Sequence, residues 1–270
     1  MTENLRAETE RVLSAVSPAT RRTLEESAGR LWAWTLKTSE RFPPTPDVKL
    51  AMASSGAVLS GYTVIHMLGN LQVYLGRGRF DSYAHHLRTL GAPVLPRRTV
   101  LWAFRVVLLA DALTHLSCAA VLTVRAQASE RRAAAQPRPL PQGRRRTRWQ
   151  RLKRSMRSTG TVLGLFTAFH LADLTLGTRP AASRRHEPGA AYDNLVASLR
   201  RPPVAGLYLA AMLALAAHTS QGLVQIGNDT GLSAQRGARE RFELAGRLVG
   251  TGVALGNASI PVAVLLRLVR

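Results

Sequence analysis

Apolar residues in this chain gather into long windows rather than short amphipathic stretches. Leu50 to Gly76 runs for 27 residues without an Asp, Glu, Lys or Arg, and so does Pro202 to Asn228. Leu248 to Leu266 adds 19 more, Ser158 to Thr178 carries only Asp173, and Thr99 to Val124 carries only Arg105 and Asp111. About 20 apolar residues span the hydrocarbon core of a bilayer. Helices of a soluble bundle show a polar stripe every 3.6 residues, and the two longest windows have none that is charged. The pattern predicts an all-α integral membrane five-helix bundle, with spans at about 50–76, 99–124, 158–178, 202–228 and 247–267. The spans are rich in Gly, Ala, Ser and Thr. Small residues let helices approach closely in lipid, and they also leave room for a flat cofactor.

Residues 1–48 read as a separate helical extension ahead of the membrane domain, 49–270. Up to Lys49 the segment is polar, with eight basic and seven acidic residues, and no cleavable signal peptide is evident. Ser17-Pro18 marks a helix start, with proline at the first helical position. Leu24, Ala28, Leu31, Trp32 and Trp34 form one face of an interfacial or partner-binding helix, which Pro43, Pro44 and Pro46 are expected to end. No internal repeat of fixed period is evident.

Charge then sets the orientation. The 270 residues hold 37 Lys+Arg against 16 Asp+Glu, a net +21. Residues 125–157 carry 12 of the basic residues and one acid, Glu130, and are expected to form an exposed loop. Five spans put the amino terminus, this loop and Asn228–Glu243 on one side, with 23 basic residues against 12 on the other. The positive-inside bias makes the first side cytoplasmic and the carboxyl terminus external, in a multi-pass protein of the plasma membrane. The basic run lies between spans and has no recognition helix or interleaved aromatics, so nucleic acid is not the expected partner; a solvated, lipid-facing loop is, which could also attract anionic lipid or an acidic partner surface. A single cysteine, Cys118, excludes an internal disulfide and a four-cysteine or two-cysteine, two-histidine metal site made by this chain alone.

Ionisable side chains inside a membrane are costly and usually functional. His66, His115, His170 and His218 fall one to each of the first four spans. At the helical rise per residue, His66 and His170 lie ~25 and ~20 Å from the inner flank, and His115 and His218 ~15 and ~16 Å. That ordering pairs His66 with His170 on an outer level and His115 with His218 on an inner one. Any one alone reads as a hydrogen-bonded structural histidine. Two opposed imidazoles, however, are what a six-coordinate haem iron takes axially. Zinc would want a tetrahedral cluster instead, and no C-x-x-C-H is present for covalent haem attachment. Asp111, four residues before His115, and Asp173, three after His170, share a helix face with them and are candidates to accept the ring N–H turned away from iron. Arg105 and Arg247 are expected to be buried enough to need an anion, which a haem propionate would supply; the alternative is that they snorkel to the interface.

These residues sit in stretches that resemble a known family. The stretches are His66-Met-Leu-Gly-Asn-Leu-Gln72, Phe80-Asp-Ser-Tyr-Ala-His85, Leu101-Trp-Ala-Phe-Arg-Val-Val-Leu-Leu109, Met156-Arg157 with Gly160, Phe169-His-Leu-Ala-Asp-Leu-Thr175, Tyr192-Asp-Asn194 and Gly256-Asn-Ala-Ser-Ile-Pro261. From about Lys49 onward the chain resembles the single-chain, five-helix, dihaem cytochrome b558 membrane anchor of succinate dehydrogenase, of the actinobacterial-like type. The resemblance implies two b-type haems, with His66, His170, His115 and His218 as axial ligands paired as above. It also implies a flavoprotein and an iron–sulfur subunit on the cytoplasmic side, and menaquinone as electron acceptor. The chain would be an anchor subunit of respiratory complex II with no succinate-oxidising site of its own, since it lacks a Gly-rich dinucleotide fingerprint. His85 and His86 lie in the first outer loop, where a surface role is the expectation and a contribution near quinone or a propionate the alternative. The rival readings are a transporter or proton channel using the His/Asp groups as a relay, and a haem-free anchor for a peripheral dehydrogenase.

Overall fold

The computed structural model describes residues 17–135 and 148–270, which are helical and contain no strand. The helices are α1 (Pro18–Glu40), α2 (Thr45–Asn70), α3 (Arg77–Thr89), α4 (Thr99–Ala135), α5 (Arg148–His170), α6 (Ala191–Leu199), α7 (Pro202–Asp229) and α8 (Ala238–Leu265). A 3-10 turn, Leu71–Leu75, extends α2, and a π-helical turn, Leu171–Leu176, extends α5. Five of these segments are long and apolar enough to cross a membrane: Thr45–Leu75, Thr99–Ala133, Ser155–Leu176, Pro202–Asp229 and Ala238–Leu265. Large aliphatic side chains line their outer surface, among them Ile65, Leu109, Leu165, Leu213 and Leu255. A soluble bundle would turn such residues inward.

Three boundaries differ from the sequence expectation. Pro46 does not end α1; it occupies the first turn of α2, where its missing N–H costs nothing. Residues 125–135 and 148–157 are helical rather than loop, continuing α4 and opening α5. Ala, Arg, Gln and Glu are strong helix formers, so basic composition here did not mean irregular backbone. Residues 136–147, the rest of that basic segment, lie outside the described residues. The fifth span begins at Ala238 and ends at Leu265 rather than covering 247–267.

Two compact units divide the chain: Met1–Val48 with Ser117–Pro139, and Lys49–Leu116 with Leu140–Arg270. In the first, Ser17 caps α1 as expected, its side chain accepting from Thr20 N at 3.3 Å. Arg125 collects the carbonyls of Ser39 (2.7 Å), Phe42 (3.1 Å) and Pro43 (3.0 Å), satisfying acceptors at the end of α1 and in the turn after it. The Arg131 guanidinium lies 4.1 Å from the centre of the Trp32 ring. Leu31 and Trp34 are exposed; the side chains of Leu24 and Ala28 lie outside the described residues.

In the second unit, α7 packs along α8 and against α5. The α7–α8 approach depends on Gly246 and Gly250, one turn apart on α8. A Cβ on Gly250 would come 2.7 Å from the Ala216 carbonyl oxygen and strike the Ser220 hydroxyl; one on Gly246 would meet the Ser220 backbone. This small-x-x-x-small spacing lets two backbones meet where lipid gives no hydrophobic drive. Asn70 Nδ2 donates to Asn257 Oδ1 at 3.1 Å and Tyr74 to the Ser259 hydroxyl at 2.7 Å, joining the end of the first span to α8. Helices α3 and α6 close one end of the bundle. Asp81 Oδ1 accepts from Tyr192 N (3.0 Å) and Arg77 pairs with Asp193 (2.5 Å), over a core that includes Val73, Phe80, Leu195, Tyr208 and Val264.

Gly250→Ala should destabilise the protein by about 2 kcal/mol, because the added methyl overpacks a backbone contact. Gly252→Ala, where a Cβ meets nothing within 4 Å, should be neutral or gain up to ~1 kcal/mol of helix propensity. Denaturant unfolding of the purified chain in detergent separates the two outcomes; equal losses would mean that α7 and α8 do not meet at these glycines.

Candidate functional site: two pairs of imidazoles

The four membrane histidines meet in two pairs. His66 on α2 and His170 at the end of α5 have ring centres 5.9 Å apart and planes at 85°. His115 on α4 and His218 on α7 are 6.3 Å apart at 72°. These are the pairs that the depth estimate selected.

The inner pair is held by two hydroxyls. His115 Nδ1 lies 3.1 Å from Ser55 Oγ, and Ser55 donates its own proton to the Met52 carbonyl at 3.1 Å. His218 Nδ1 lies 3.2 Å from Thr159 Oγ1, and Thr159 donates to the carbonyl of Ser155 (2.7 Å) or Met156 (3.3 Å). A hydroxyl whose proton is committed to a helix carbonyl can only accept from the ring. Each Nδ1 therefore carries the N–H, and each Nε2 keeps its lone pair. Beside each hydroxyl stands a glycine. A Cβ on Gly56 would lie 3.3 Å from His115 Cε1, and one on Gly160 would lie 3.2 Å from His218 Cε1.

The outer pair is held differently. Tyr62 stacks on His66 at 5.4 Å and Phe166 lies 5.8 Å from His170, each four residues before its histidine. His170 Nδ1 is 3.1 Å from the Tyr208 hydroxyl, which donates to Asp173 Oδ2 at 3.1 Å. Ser198 donates to the same oxygen, and Arg201 Nη2 lies 2.9 Å from Oδ1. Asp173 is 1% exposed, so its charge is offset by three donors inside the bundle. Helical spacing placed Asp173 directly behind His170. The π turn that starts at Leu171 instead turns it toward α6 and α7, and Tyr208 stands between carboxylate and imidazole. Tyr208 and Ser198 were not singled out from the sequence, because they come from other helices.

Three further expectations are corrected. Asp111 does not receive the His115 ring proton, which Ser55 takes; its Oδ2 is buried with no hydrogen-bond partner. Arg105 is exposed, with its guanidinium 5.0 Å from the Trp102 ring centre. Arg247 is also exposed and already has an anion on its own helix, with Nη2 3.7 Å from the Glu243 carboxylate. Both long stems reach the surface of the bundle, so neither needs a propionate. His85 and His86 are exposed on α3. Among the described residues, no group of three or more His, Cys, Asp or Glu side chains is placed to hold a metal ion.

The site also exposes an internal repeat that the sequence reading missed. Met52-Ala-Ser-Ser-Gly-Ala-Val-Leu-Ser-Gly-Tyr-Thr-Val-Ile-His66 matches Met156-Arg-Ser-Thr-Gly-Thr-Val-Leu-Gly-Leu-Phe-Thr-Ala-Phe-His170 at a constant offset of 104 positions. The shared positions are the site: the hydroxyl, the glycine, the aromatic ring and the histidine. Each half of the bundle gives one outer and one inner imidazole, and each pair takes one ring from each half. Aligning the chain with itself, rather than looking for a short period, finds it.

The hydroxyls on Nδ1 leave the Nε2 lone pairs of His115, His218 and His170 free to act as donors. Independently of any metal, Asp173→Asn should destabilise the fold by about 3 kcal/mol, since it strips the partner from a half-buried arginine. Asp173→Asn with Arg201→Gln should recover part of that loss; additive losses would show that the two side chains are not coupled.

No family model, curated protein or solved structure matches this chain.

Proposed function

We propose that the chain is the dihaem cytochrome b anchor of a succinate:quinone oxidoreductase. It would hold one b haem between His66 and His170 and a second between His115 and His218. Flavoprotein and iron–sulfur subunits would dock on its cytoplasmic side, and menaquinone would take the electrons. The reading is carried by one observation: two imidazole pairs at two levels along the bundle, with ring centres 5.9 and 6.3 Å apart. Imidazoles at that separation could both reach one metal ion, given the ~2 Å bonds that histidine nitrogens make.

The surrounding chemistry fits the same group. Hydroxyls on the Nδ1 atoms of His115, His170 and His218 leave Nε2 as the donor, and a ligand histidine needs such an outer acceptor to hold its tautomer and orientation. Haem, when bound, supplies one-electron chemistry at iron. The protein's part is to present neutral nitrogens, keep water out with the apolar shell, and pull on the His170 proton through Tyr208 and Asp173. The excess of basic residues on the amino-terminal side supports a cytoplasmic docking face in the plasma membrane.

A reduced-minus-oxidised spectrum of the purified protein tests the reading and should show b-type bands. His66→Ala or His170→Ala should remove one haem and spare the other, and His115→Ala or His218→Ala the reverse. Loss of both haems from every single change would defeat the two-tier arrangement, and a colourless protein purified with its partners would defeat haem binding altogether. Ser55→Ala and Thr159→Ala should each perturb the inner haem alone, and by similar amounts. A flavoprotein that co-purifies with the chain would distinguish a succinate dehydrogenase anchor from other dihaem cytochromes.

A further inference from the structure

Helix α8 ends at Leu265, beside the end of α6, and the two bound a cavity of ≈ 500 Å³ lined by Arg200, Val264, Leu265, Arg267 and Arg270. None of the three arginines has a carboxylate partner among the described residues. The contrast with the next residue is informative. Arg201, adjacent to Arg200, turns inward to a buried carboxylate, Asp173, supplied for it. Arg200 is exposed and has no such partner.

The chain reversal after α8 builds the other wall. Arg267 adopts a left-handed conformation (φ 59°), and Leu268 N donates back to the Ala263 carbonyl at 2.8 Å. The reversal buries Val269, which is 4% exposed, while Arg267 and Arg270 stay exposed at the rim. Arg270 uses Nε on the Arg267 carbonyl at 2.8 Å; among the described residues neither of its Nη groups makes a hydrogen bond.

We propose that this cavity binds the headgroup of an anionic phospholipid. Three guanidinium groups with no internal anion match a phosphate, whose oxygens the arginine fork takes in pairs. The cavity lies at the end of an apolar span, where headgroups lie, and Val264 and Leu265 offer an apolar wall to the first acyl carbons. Guanidinium groups at the rim of an apolar span suit a phosphate-bearing headgroup in either leaflet. A zwitterionic lipid brings its own cation, which three arginines repel, so the site should prefer phosphatidylglycerol to phosphatidylcholine. The inference makes no use of the imidazole pairs.

The full chain in phosphatidylcholine nanodiscs, doped with phosphatidylglycerol, tests it by native mass spectrometry. Retention of phosphatidylglycerol over phosphatidylcholine is expected. The variant R200Q/R267Q/R270Q should weaken that preference on the order of tenfold or more. A charge-matched variant, R79Q/R97Q/R184Q, should keep it. Arg200→Gln alone alters a side chain without a bond to the protein and should give a partial loss, which keeps the test valid if the triple variant misfolds. Equal loss in the charge-matched variant would overturn the site in favour of diffuse surface charge. Absence of any preference in the parent chain would overturn it as well. Inorganic phosphate displacing phosphatidylglycerol at matched concentration would mark a site for free anion and overturn the lipid assignment.

Discussion

An imidazole N–H inside an apolar slab must find an acceptor, and the centre of this bundle is organised around that requirement. Three histidines meet it in the same way. A hydroxyl gives its proton to a helix carbonyl or a carboxylate and offers its oxygen to the ring: Ser55 for His115, Thr159 for His218, Tyr208 for His170. Each such bond costs the membrane nothing in unsatisfied polar groups and leaves one bare ring nitrogen facing elsewhere. The glycines beside Ser55 and Thr159 follow from it, because a Cβ at either would press within 3.2–3.3 Å of the buttressed ring.

The two tiers are tied together by helix geometry. Eleven residues separate Ser55 from His66 and Thr159 from His170, which is three turns of an α-helix. Hydroxyl and histidine therefore share a face, ~16 Å apart along the axis. One helix can thus supply an imidazole to the outer tier and a buttress to the inner. The duplicated stretch lets two helices do the same job from opposite sides. Helix α8 has no histidine and serves as scaffold: its glycines seat α7, and Asn257 and Ser259 hold the far end of the first span.

The tiers differ in what lies behind the ring. The inner hydroxyls lead only to carbonyls of their own helices. The outer chain runs through Tyr208 to a carboxylate held by Ser198 and Arg201. A buried ion pair of this kind demands that several helices arrive together, since breaking it leaves a charge without water. It therefore couples the position of His170 to the packing of α6 and α7.

Much of this was legible in the residues alone. Charge-free windows fix where spans lie, because lipid excludes charge; Ser17 caps its helix because local hydrogen bonding is a matter of neighbours; and the depth of each histidine follows from counting residues, which selects the pairing. The 104-residue offset was equally present in the sequence but needed self-comparison to see. Tertiary structure alone decided which hydroxyl meets which ring, that Tyr208 intervenes before Asp173, that Asp111 Oδ2 is left without a hydrogen bond, and that Arg105 and Arg247 face outward. Those outcomes depend on how each helix is rotated about its axis and where α5 widens into a π turn. Spacing along one helix orders residues by depth and face, but only packing against the other helices decides what each face meets.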